Sequence, residues 1–149
     1  MLDHEVADSA SKGPVREPFD EEERARLAVA LDDQVPGAAA LGAVDYVVRL
    51  LTALDHDPPR IWAAPAGGGA GWIDLGPWER HAWAQRLEEL HAVYRRVLAG
   101  APAPGDHRVL HAHACEATYG DPAYGGNRGS GGWLRIDFPE PLFPPARDA

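Results

Sequence analysis

The sequence predicts an all-α fold, a small bundle of about four helices with a long Gly/Pro-rich loop and an irregular Gly/aromatic C-terminal segment. Three observations predict it. Apolar residues recur at three- and four-residue spacing in four separate stretches. Residues suited to helix caps stand at the starts and ends of those stretches. Proline or glycine punctuates the junctions. At 149 residues the chain has a one-domain length, long enough to bury a core and short enough to gain from a partner.

Residues 1 to 18 mix Asp, Ser, Lys, Gly and Pro with little apolar periodicity and read as a mobile arm ahead of a single domain over 19–149. The fold is expected to begin at Phe19. Asp20 with Glu23 forms a capping box, and Leu27, Leu31 and Val35 then recur until Pro36-Gly37, which predicts a first helix over about 20–35. A second helix over about 38–55 carries the wide stripe of Leu41, Val44, Val47, Val48, Leu51 and Leu54, so it is expected near the centre. Asp55-His56-Asp57-Pro58-Pro59 ends it. A long loop over Pro59 to Gly76 follows, with Ile61, Trp62, Trp72, Ile73 and Leu75 expected to pin its ends.

The third helix is expected over about 77–99: Pro77 suits its first position, Gly100 its C-terminal cap, and Arg95 and Arg96 its last turn. Trp83, Leu87, Leu90, Tyr94 and Val97 make its seam, widened by Trp78 and Val93. Pro102 and Pro104 precede a fourth helix over about 106–119, with Asp106 as candidate N-cap. Everything after Tyr119 is expected to be irregular.

Fourteen basic against 23 acidic residues give a formal net charge of -9. Such a balance repels nucleic-acid phosphates and anionic lipid, so neither is an expected partner. No apolar run reaches the roughly 18–20 residues of a spanning helix. The first residues, Met1-Leu2-Asp3-His4-Glu5, have no basic and apolar leader pattern, so the expected location is the cytoplasm unless a partner carries the chain out. Cys115 is the one cysteine, which excludes an intrachain disulfide and a c-type haem motif.

His107, His111 and Cys115 share one face of the fourth helix and, with Glu116, give the alternative of a stand-alone metal-dependent enzyme. The first and third lie about 12 Å apart at a rise of 1.5 Å per residue, too far for a single ion, and a packed helix face is the stronger expectation. Glu116 and Asp121 suit an acid/base pair less well than local duties. Asp121 before Pro122 opens a turn, and Glu116 serves the glycine segment or Arg128. No glycine run has the phase of a phosphate loop, and Ser130 lacks the setting of a nucleophile elbow.

Residues 119–133 crowd six glycines, five of them within 125–132, between Tyr119, Tyr124 and Trp133. Glycine loses the most freedom on ordering, so the run marks positive dihedrals or close backbone approach, with the aromatic side chains supplying burial. Residue chemistry leaves contact with a partner and packing within the chain both open for Tyr124, Asn127, Arg128 and Trp133.

The run from His113 through Cys115-Glu116-Ala117-Thr118-Tyr119-Gly120-Asp121-Pro122-Ala123-Tyr124-Gly125-Gly126-Asn127, then Gly132-Trp133 and Phe138-Pro139, resembles the C-terminal signature of the gluconate 2-dehydrogenase subunit 3 family. The likeness is strongest over Cys115 to Phe138. It departs in lacking a twin-arginine signal and in having Glu140-Pro141 where a glycine is expected. The resemblance implies a small helical subunit with no redox centre, attached to an FAD-dependent dehydrogenase of the glucose-methanol-choline type, often with a cytochrome c subunit. It also implies partner contact through Tyr119, Asp121, Tyr124, Gly125, Gly126, Asn127, Arg128 and Trp133, and no catalytic, cofactor or metal residue of the chain's own. An interaction module for an unrelated protein is the remaining alternative.

Overall fold

The computed structural model describes residues 17–56, 62–63, 71–72, 77–120 and 126–136. Within them the fold is all-α. Helices α1 (Glu21–Gln34), α2 (Ala43–Leu51), α3 (Pro77–Leu98), α4 (Asp106–Tyr119) and α5 (Gly131–Arg135) are supplemented by short 3-10 turns at Ala39–Leu41, Ala53–Asp55 and Arg128–Ser130. No helix among the described residues is long and apolar enough to cross a membrane.

Helix α1 starts on the expected capping box: the Asp20 carboxylate accepts from the Glu23 amide at 2.8 Å and the Glu23 carboxylate from the Asp20 amide at 3.1 Å. Two donors at the helix start are thereby satisfied. Phe19, 1% exposed, meets Tyr94 edge-on at 6.3 Å and lies under the Arg95 guanidinium at 5.2 Å. Arg95 also bonds Glu23 and the Pro18 carbonyl, and Arg24 reaches Glu17. Glu17 and Pro18, expected in the mobile arm, are thus tied to the fold, while residues 1–16 lie outside the described ones.

The expected single helix over 38–55 is broken. Gly42 adopts φ 93, a left-handed conformation that ends the Ala39–Leu41 turn and opens α2. Glycine occupies that region without a side-chain clash, and most other residues do not. Thr52 closes α2 by donating its hydroxyl to the Val48 carbonyl at 2.8 Å. The long loop also contains a two-residue antiparallel pair, Trp62–Ala63 with Gly71–Trp72. Ile61, Ile73 and Leu75 lie outside the described residues.

Helix α3 buries Leu87, Leu90, Val93, Tyr94 and Leu98, so the seam runs as expected, with Leu98 deeper than Val97. Gly100 ends it at φ 73. The Ala101 amide reaches back to the Arg96 carbonyl and the Gly100 amide to that of Val97, at 3.0 and 3.1 Å, the double bond of a Schellman cap.

Asp106 is not the N-cap of α4. That position belongs to Gly105 at φ 91, and Asp106 is the first helical residue. Its carboxylate instead takes both Arg96 donors, at 2.8 and 2.9 Å, and the Ala103 amide at 2.8 Å. Held this way, it sits well below the usual carboxylate range, at about 2, chiefly through the Arg96 hydrogen bonds and then the Ala103 amide.

Helix α2 is central as expected, packing against α1, α3 and α4, and α4 shares that place, packing against α1, α2, α3 and α5. Leu110, Ala114, Ala117 and Thr118 are almost wholly buried along it. The small side chains of its second half let other backbones come close, and α5, unexpected in a glycine-rich stretch, forms there.

Candidate functional site

The C-terminal end of α4 leaves carbonyl groups with no partner inside the helix, and the glycine-aromatic segment supplies partners for most of them. Gly120 donates to the Glu116 carbonyl at 2.8 Å, and the Asn127 amide donates to that of Ala117 at 2.5 Å. The Trp133 indole N–H reaches the Tyr119 carbonyl at 2.6 Å. Asn127 side-chain Nδ2 donates to the Gly120 carbonyl at 2.7 Å, while its Oδ1 accepts the Gly132 amide at 2.8 Å. One side chain therefore closes the loop between α4 and α5.

Close approach explains two of the glycines. A Cβ on Gly126 would lie 2.2 Å from the Ala117 carbonyl oxygen, and one on Gly132 would lie 1.7 Å from that of Thr118. Neither obstacle is a side chain able to swing aside. Among the described residues, Asn127 and Ser130 are the two non-glycine ones at positive φ, 45 and 57, a region Asn tolerates better than most.

These contacts settle where several expected partner-contact residues point. Asn127 is 0% exposed, so its amide is unavailable to another chain, correcting the expectation that it supplies directional bonds outward. Gly126 is buried against α4, and Trp133 and Tyr119 are half-buried. Arg128 faces outward at 57% side-chain exposure and pairs with Asp45, which also holds Arg24. Asp121, Tyr124 and Gly125 lie outside the described residues.

Two apolar residues missed in the sequence join Arg128 on the surface: Leu134 is 77% and Ile136 52% exposed. Their signal was the single helical turn of α5, which composition hid. Helix α5 is fastened by Arg135, whose Nη1 donates to the Pro36 carbonyl at 2.6 Å. A groove of about 290 Å³ opens beside Arg24, Asp45 and Arg128, with Gly42 and Val44 in its wall.

Deeper in α4, His113 Nδ1 and the Tyr94 hydroxyl share a hydrogen bond of 2.6 Å, with the rings stacked at 5.8 Å. Burial pushes the Tyr94 hydroxyl up, aided by the Glu116 charge. Burial likewise pushes the His113 imidazole down, against the opposing pull of Glu116. Glu116 itself accepts from the Tyr46 hydroxyl at 2.5 Å rather than from the glycine segment or Arg128. Cys115 Sγ and His111 Nε2 approach to 3.5 Å, but no group of three His, Cys, Asp or Glu side chains suited to a metal gathers among the described residues.

Comparison with family models, curated proteins and solved structures found no match to this chain.

Proposed function

We propose that this chain is a non-catalytic small subunit that binds and stabilises an FAD-dependent sugar or alcohol dehydrogenase large subunit. The observation that carries the proposal is the outward exposure of Arg128, Leu134 and Ile136 on a segment whose backbone Asn127 clamps. Exposed arginine and aliphatic side chains within one short segment suit a protein interface. Its setting in residues that resemble the gluconate 2-dehydrogenase subunit 3 signature supplies the partner class.

In that complex the large subunit holds FAD, the flavin takes hydride from the substrate, and a cytochrome c subunit is the next electron carrier where the partner recruits one. This chain contributes assembly, stability or flavin loading. A binder selective for the folded partner stabilises it by about 2.7 kcal/mol at a hundredfold excess over Kd. Where the partner resides decides whether the complex works in the cytoplasm or is exported.

Co-expression tests the proposal. The dehydrogenase is expected to lose soluble yield and bound flavin when made without this chain. A large subunit equally soluble, flavin-loaded and active alone would contradict it.

A further inference from the structure

Helix α1 turns Leu27 and Leu31 fully into the core, while its opposite face lies open. There Ala25, Val29 and Ala30 floor a shallow groove of about 430 Å³, rimmed by Glu22, Arg26 and Asp33. Val29 is 62% exposed, one of three exposed large apolar side chains among the described residues. All six residues fall on one stripe of a 14-residue helix, at the spacing that packs helices together.

We propose that a second copy of this chain docks on this face, α1 against α1, antiparallel about a two-fold axis between Val29 and Ala30. The charge pattern selects that arrangement. Arg26 and Asp33 stand two turns apart, about 10 Å at 1.5 Å per residue, at equal distances from the midpoint of the apolar floor. Under the two-fold, Arg26 faces the partner's Asp33 and Asp33 faces the partner's Arg26, while Val29 meets the partner's Ala30. A parallel pairing would instead oppose like charges. A self-complementary patch of this kind is what a closed dimer requires.

Arg26 is already steadied on the rim, since its Nη1 donates to the Leu98 carbonyl at 2.6 Å. Asp33 has no ion-pair partner among the described residues. The alanines let the helix axes approach closely. One helix face covers less than the roughly 800 Å² per partner of a standard interface, and each copy carries a formal charge of -9. The dimer is therefore weak and concentration-dependent.

Sedimentation equilibrium of the purified full chain at physiological ionic strength, from micromolar to millimolar concentration, tests the inference. The wild type is expected to move toward twice the monomer mass, and Val29→Asp to stay monomeric. Asp33→Arg, which leaves the Leu98 contact intact, should also lose the dimer by opposing two arginine pairs. Adding Arg26→Asp to it should restore the dimer by exchanging the charges. A wild type monomeric at millimolar concentration overturns the inference, as does a dimer indifferent to Val29→Asp and Asp33→Arg. Loss of flavoprotein capture by Val29→Asp from a monomeric wild type would overturn it in favour of the dehydrogenase as occupant.

Discussion

Asn127 concentrates more of the segment's order than any other side chain, because it holds Gly120 with one end of its amide and Gly132 with the other. Asn127→Ala leaves the buried Gly132 amide and the half-buried Gly120 carbonyl without their partner and places alanine at φ 45. We expect a stability loss of about 2–4 kcal/mol, read as a lowered chemical-denaturation midpoint. Asn127→Gly separates the two causes, since glycine accepts the dihedral but not the bonds. Gly132→Ala acts differently, by driving a Cβ into the Thr118 carbonyl. It should release α5, seen as faster amide exchange across 131–135. Arg128 offers the contrast: Arg128→Ala removes only an exposed ion pair, so stability should change by about 0–1 kcal/mol while partner capture falls.

At the scale of elements, α4 is where pH acts. Asp106 lies well below its ordinary value because Arg96 and the Ala103 amide favour the carboxylate. Its contribution is complete above about pH 4, the unfolded carboxylate range, and is lost as pH falls toward about 2. Asp106→Asn should lower stability at neutral pH and flatten that acid limb of a melting-temperature profile. His113 works in a separate window. Its folded value is lowered by burial, so the unfolded chain takes up protons first. Stability is complete above the ordinary histidine value of about 6.5 and declines as pH falls through it, levelling below the folded value. His113→Gln should remove that upper step and leave the lower one.

The same elements show what local sequence carries. Helices α1, α3 and α4 were legible because Asp20 with Glu23, Gly100 and the prolines mark boundaries by short-range chemistry. Gly42 lies inside the helix expected over 38–55, whereas its left-handed dihedral is set by the turn between α1 and α2. Helix α5 was illegible for a stronger reason. Its glycines argue against a helix, and it is held by distant groups, Trp133 on Tyr119 and Arg135 on Pro36. In the candidate site, the sequence marked the segment as ordered but not which side chains turn inward. Asn127 and Arg128 are neighbours with opposite fates, decided by the carbonyl groups at the end of α4.

For the molecule as a whole, one bundle presents two open surfaces by different means. The face of α1 is an open helix stripe, whereas the exposure of Arg128, Leu134 and Ile136 depends on a clamped backbone. Glycine and Asn127 conformations there first complete α4, and only through that completion do they aim the exposed residues. The proposed attachment to a flavoprotein therefore predicts that outward residues govern binding and inward ones govern folding. Capture of the flavin-bearing dehydrogenase by the tagged chain, wild type against the Leu134→Asp, Ile136→Asp double variant, tests this most directly. The account predicts that wild type retains a partner with flavin absorbance bands, and that the variant keeps its own melting temperature yet loses the partner. Equal retention by both, or no flavoprotein held by the wild type, would contradict it.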